Sequence, residues 1–194
     1  MQALILIGAL AGLFLAQRTL ADYREHRMNY AEAKVESTKP APTPVATYPS
    51  TPSQVVQSFC ENDFKGAGLS SKTNSVLFEL TSWEDSPGWD TTVVVDHFVV
   101  GSPKIKGNEA EVPVSYEVLG SIAAQFSKNQ HEEKISYLLN NVKGLWKISK
   151  PQIPPHISIE AAKAHLSQLQ EGLDEKTGSE ERKRLQSIIN QLGK

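Results

Sequence analysis

The sequence predicts an α+β fold: a curved antiparallel sheet packed on N-terminal helices, followed by a C-terminal helical hairpin. Three observations predict it. Apolar residues recur at helical spacing from Pro52 to Trp83; the period drops to two between Thr91 and Ser149; helical spacing returns between Ile159 and Leu192. Helices and strands are therefore segregated along the chain, which separates α+β from alternating α/β.

The chain has 194 residues, and not all of them belong to a core. Ala3 to Ala16 carry no polar side chain. As a helix those fourteen residues span about 21 Å, short of a hydrocarbon layer of about 30 Å. That length suits the apolar part of a signal peptide, and Thr19-Leu20-Ala21 resembles a small-x-small cleavage site. Against cleavage, no Lys or Arg precedes the run, while Arg18, Arg24 and Arg27 follow it. A helix from Met1 to Ala21 with Arg18 snorkelling also reaches across a thin bilayer. Two destinations stay open: cleavage after Ala21 with export, or an uncleaved membrane anchor. Both place the protein at the cell envelope.

Residues 22–52 read as a linker, charged at first and then proline-rich. Five of the eleven prolines fall within residues 39–52. Proline lacks the amide donor and disfavours helix in the residue before it, so Lys39-Pro40-Ala41-Pro42-Thr43-Pro44 reads as a semi-rigid spacer.

Residues 53–157 form the compact domain. Thr51-Pro52-Ser53-Gln54 is a helix start, with Thr51 as cap and Gln54 completing a capping box. Val55, Val56, Phe59 and Cys60 make its apolar stripe, with Asn62 and Asp63 at the same spacing, and Gly66 and Gly68 end it. A shorter helix is expected within Asn74–Trp83. Thr91–Val100 is a β-branched strand. Glu109–Leu119 alternates, with Ala110, Val112, Val114, Tyr116 and Val118 on one face; Pro113 implies an edge or a bulge. His131–Asn140 and Leu145–Ser149 form a last hairpin around Asn141-Val142-Lys143-Gly144.

In residues 158–194, Ile159, Ala162, Leu166, Leu169 and Leu173 form a brief heptad seam. Thr177-Gly178-Ser179-Glu180 reads as a break with a capping box. Leu185, Ile188, Ile189 and Leu192 form a second stripe. Each helix is too short to stand alone in water, so the stripes must meet each other, the core or a partner. Leu166, Leu169, Leu173, Leu185, Ile188, Ile189 and Leu192 are the candidate surface for a homodimer or another protein.

The opening Pro52-to-Phe64 helix, the long hairpin of residues 91–119 and the closing Gly144-Leu145-Trp146-Lys147-Ile148 strand resemble the NTF2-like superfamily of cystatin-like α+β cones. The resemblance covers about 105 residues. It implies a sheet curled around helices and a conical interior. Some members are isomerases or dehydratases, which need a carboxylate or histidine base in an apolar pocket and hydrogen-bond donors for an oxyanion.

Candidate groups for such chemistry are Asp96, His97, His131, Tyr116 and Tyr137, with Asp96 and His97 as candidate bases. Neighbouring strand residues point to opposite faces, so a regular strand cannot present both to one pocket. By that alternation His97 groups with Val93, Val95 and Val99, and Asp96 with Val94, Phe98 and Val100. Trp83, Trp89, Tyr116, Tyr137 and Trp146 are the candidate pocket for a small apolar ligand. Ser82 to Asp90, two tryptophans around an acidic Pro-Gly turn, is the candidate lid. Glu84, Asp85 and Asp90 lack calcium-loop spacing, and the five histidines lack metal-ligand spacing, so no metal or cofactor is expected. The single cysteine, Cys60, has no internal disulfide partner and reads as a small buried residue on a helix.

Twenty basic against 22 acidic residues give a net charge of −2. This excludes a strongly cationic nucleic-acid binder, and no nucleic-acid partner is expected, although Lys104, Lys106, Lys143, Lys147 and Lys150 make a mildly basic strip. Three functions are in play: a non-catalytic accessory domain binding an apolar ligand or a protein, a small isomerase- or dehydratase-type enzyme, and an oligomerisation module.

Overall fold

A computed structural model of the chain describes residues 48–70, 73–85, 87–174 and 178–193. The expected signal or anchor segment and nearly all of the linker, together with Thr177, lie outside these residues. Within Tyr48–Lys194, one compact unit, four α-helices pack on a strongly curled, mixed six-stranded sheet.

Helix α1 spans Pro52–Phe64 and starts as its sequence requires. The Thr51 hydroxyl accepts from the Gln54 amide at 3.3 Å, and Gln54 Oε1 accepts from the Thr51 amide at 3.1 Å. Two otherwise orphaned donors are thereby satisfied, and Pro52 contributes none. Val55, Val56, Phe59, Cys60 and Asp63 form its buried face. A single 3-10 turn, Ala67–Leu69, leads to the short helix α2, Ser75–Leu80.

The sheet follows. Strands β1 (Thr92–Val100), β2 (Lys104–Lys106), β3 (Glu109–Ile122), β4 (Phe126–Val142), β5 (Leu145–Lys150) and β6 (His156–Ile157) are ordered β5-β4-β3-β1-β6, and β2 also pairs with β3. The sheet wraps α1, so that Val95, Val112, Ile135 and Ile148, from four different strands, share one core with Val55, Val56 and Phe59. Burying such side chains stabilises the fold by about 1.5–3 kcal/mol each. The β4–β5 turn uses Lys143 and Gly144, with φ of 53° and 88°; a two-residue loop with both φ positive matches the twist of the strands it joins.

Three expectations need correction. The sheet is not wholly antiparallel: β6 pairs parallel with β1, Val93 with His156 and Val94 with Ile157. Two residues directly after Pro154-Pro155 gave no strand pattern to read. Second, the alternation of β1 is reset. Leu119 on β3 and Asp96 on β1 each stand as an extra residue in the ladder. A bulge changes the phase of every residue after it. Val93 and Val95 therefore share the α1-facing core with Phe98 and Val100, while Val94 faces a second core. Third, helix α4 (Ser179–Gln191) starts behind Gly178, which has no side chain with which to cap.

Pro113 sits where its neighbour changes. Its carbonyl accepts from Gly101 N at 2.7 Å, at the gap between β1 and β2, so its missing N–H faces that gap rather than β4. A Cβ on Gly101 would stand 2.8 Å from Pro113 Cγ, which leaves glycine as the residue that fits.

Helix α3 spans Ile159–Glu171, capped by Ser158, whose hydroxyl accepts from Ala161 N at 3.0 Å. It packs with α4 and with Val94 and Ile157 in the second core. Gln170 Nε2 donates to Arg182 O at 2.9 Å, and Arg182 Nη2 donates to Leu173 O at 3.0 Å, tying the two helices.

Candidate functional site

The interior of the curled sheet holds a line of polar side chains. Cys60 and Asp63 lie one turn apart on the buried face of α1; Tyr116 points inward from β3, Tyr137 and Glu133 from β4, and His156 arrives on β6. Tyr116 Oη stands 3.1 Å from Cys60 Sγ and 3.0 Å from Tyr137 Oη. Tyr137 is 0 % exposed, Tyr116 and Cys60 1 %. Edge-on contacts of Phe59 with Tyr137 and Trp83, each at 5.6 Å, fill the rest.

Burial sets the electrostatics. It pushes the Cys60 thiol up to about 12, with Tyr116 accounting for a smaller opposing effect. It also raises both tyrosine hydroxyls far above their ordinary range, and at Tyr116 the neighbouring Tyr137 and Cys60 add to the effect. All three groups are therefore neutral at physiological pH, and a protonated thiol is a poor nucleophile.

Asp63 differs. Burial pushes its carboxyl up to about 7, opposed by the hydrogen bond that Oδ2 accepts from His156 N at 2.7 Å. A carboxyl near 7 has the proton affinity of a general base. It is only 4 % exposed, however, and a Cβ on Gly68 would lie 3.1 Å from Oδ1. The carboxyl is walled in, and its observed bond fixes β6 to α1.

His156 completes the lock. Its Nδ1 faces Pro154 O at 2.8 Å and its Nε2 faces Glu133 Oε2 at 3.1 Å, with its ring 4.5 Å from that of Tyr116. The imidazole is thereby held between β4 and the backbone that precedes β6. Three elements, α1, β4 and β6, thus meet through Asp63, His156 and Glu133. Helical spacing already put Asp63 on the apolar face with Val56, Phe59 and Cys60. Nothing local in the sequence signals the His156 contact, 93 residues away.

The candidates named from sequence fall in several places. Asp96 and His97 are both exposed, beside the bulge, with Asp96 Oδ2 2.9 Å from His97 Nδ1. Asp96 borders a cleft of about 250 Å³ floored by Val94, Leu119, Phe126, Ile159 and Leu192, outside the line of buried polar groups. His131 is exposed and binds its local backbone. Tyr116, Tyr137 and Trp146 are buried together in the main core. Trp83 packs against that core and donates from Nε1 to Ser149 O at 3.0 Å, whereas Trp89 is exposed. The candidate lid thus has one tryptophan in and one out.

Lys104, Lys106 and Lys150 line an open groove of about 580 Å³ with Glu109 and Glu111, so its charge is mixed. Of the helical stripes, Leu166, Leu185, Ile188 and Leu192 are buried within the chain, and Leu173 and Ile189 pack against them. Only Leu169 of that set is strongly exposed, so the seam expected as a partner surface is largely closed internally. Among the described residues, no cluster of three or more His, Cys, Asp or Glu is arranged to hold a metal ion, and no helix is long and apolar enough to cross a membrane. Comparison with protein-family models, with curated proteins and with solved structures returns no match to the chain.

Proposed function

We propose that residues 48–193 are a non-catalytic accessory domain of the NTF2-like cone type, which binds a protein partner and is held at the cell envelope by the segment before it. The observation that carries the reading is the engagement of the interior polar groups with one another. Cys60, Tyr116 and Tyr137 form one closed hydrogen-bonded line, and Asp63, His156 and Glu133 form another. A catalytic cone needs an unengaged base aimed into space that a substrate can occupy. A ligand-binding cone needs apolar volume, and here Phe59, Trp83 and the two tyrosines occupy the centre.

The envelope address rests on the apolar run Ala3–Ala16 and the proline-rich spacer. A thermal-shift screen of the protein against lipids, steroids and polar metabolites tests the reading. The expected result is no ligand-dependent rise in Tm. A saturable rise of several degrees with a small apolar molecule, lost in Tyr137→Ala, overturns it in favour of a ligand-binding cone.

A further inference from the structure

We propose that the free edge of β1 is a dimer interface, on which a second copy of this chain adds its own β1 antiparallel about a two-fold axis at Val99. The inference stands on ladder geometry. Gly101 N donates to Pro113 O, so Gly101 occupies a hydrogen-bonded position toward β3. In an antiparallel ladder such positions alternate. Val99 and His97 therefore also bond toward β3, opposite Ser115 and Glu117. The N–H and C=O groups of Phe98 and Val100 point the other way. On that side β6 covers only Val93 and Val94. Among the described residues no hydrogen bond reaches the outward groups of Phe98 and Val100.

Elsewhere the edges carry protections, and the part of β4 that β5 does not pair, before Leu138, carries Lys128 and Lys134. On β5, Ser82 N donates to Ile148 O at 2.9 Å and the Tyr48 hydroxyl donates to Trp146 O at 2.7 Å. Strand β2 is three residues long and carries Lys104 and Lys106. Short edges, covering segments and lysines are the usual protections against strand addition. The Phe98–Val100 edge is short too, but it carries no lysine and no covering segment among the described residues, and its central side chain, Val99, is 58 % exposed.

The edge is complementary to itself. With the axis at Val99, Phe98 stands opposite Val100 of the second copy, and the outward groups of both copies close four backbone hydrogen bonds. The two Val99 side chains meet at a non-bonded position, where Cα atoms lie about 4.5 Å apart. Asp96 falls opposite Ser102 and His97 opposite Gly101 of the second copy, so no like charges face each other. Apolar side chains are thereby paired and every orphaned group on the edge gains a partner.

The test uses the full chain in mild detergent. Val99→Cys, treated with copper phenanthroline in air as oxidant, is expected to convert to a disulfide-linked dimer, because 4.5 Å lies within disulfide range. The other cysteine, Cys60, is 1 % exposed. Val142→Cys, equally accessible at the β4–β5 turn, is expected to stay uncross-linked under the same treatment. Val99→Lys sets two ammonium groups against each other and is expected to halve the mass measured by light scattering, with an unchanged circular dichroism spectrum. A monomeric parent chain, equal cross-linking of both cysteine variants, or a Val99→Lys protein of undiminished mass each overturns the proposal.

Discussion

Replacing Asp63 by Asn tests the buried lock through its pH dependence. The carboxyl moves from an ordinary value of 3.8 to about 7 on folding, chiefly because burial disfavours its charged form. The folded state therefore holds this proton more tightly than the unfolded state. The sign follows from linkage: the stabilisation is complete below pH 3.8 and declines as pH rises toward 7, above which both states are ionised. At about 1.4 kcal/mol per pH unit, the parent protein loses roughly 4 kcal/mol across that window through this group. Cys60, Tyr137 and the His156 backbone adjoin the carboxyl, so the comparison with a variant isolates its share. Asn keeps an oxygen for His156 N and cannot titrate. Urea midpoints from about pH 4.5 to 8.5 measure the difference, converted to free energy through the m-value. The expected result is a steep decline for the parent and a flatter profile for Asp63→Asn, with the two curves converging or crossing as pH rises. Parallel profiles would refute the assignment of a buried, proton-holding carboxyl.

Three further outcomes follow from the interior. Tyr116→Phe strands the Cys60 thiol and the Tyr137 hydroxyl, and is expected to cost about 1–3 kcal/mol by urea unfolding; adding Tyr137→Phe costs less than the sum of the two single changes. Cys60 resists iodoacetamide in the native protein at pH 8 and reacts on unfolding, read by mass spectrometry, because its thiol is pushed up to about 12. Ile188→Ala, 2 % exposed, removes packing from the second core; it is expected to cost about 2–5 kcal/mol and to speed proteolysis within residues 158–193.

How much was legible in the sequence depended on how local its causes were. Thr51 and Gln54 are three residues apart, and their capping box stands where the spacing put it. Ala110, Val112, Val114, Tyr116 and Val118 alternate, and all five are buried on the face toward α1. The bulge at Asp96 was illegible, because an extra ladder residue is set by how two strands meet and not by either strand alone. That single residue decided which valines of β1 face α1. Asp63 was half legible: its helical position placed it inside, but its proton affinity depends on a wall built from Gly68, Tyr137 and His156. The His156 lock was not legible, since a histidine directly after a proline pair carries no periodic signal. The helical stripes of residues 159–192 were visible as stripes, while their target, Val94 and Ile157, became visible only in three dimensions.

The central claim is that the interior of the cone is closed, its polar groups engaged with each other and its apolar groups packed. Crystals pressurised with xenon test this directly, because xenon occupies dry apolar cavities. The account predicts no xenon site among Phe59, Trp83, Tyr116 and Tyr137. An ordered xenon atom between Phe59 and Tyr137 would contradict it and return the cone to the ligand-binding proteins.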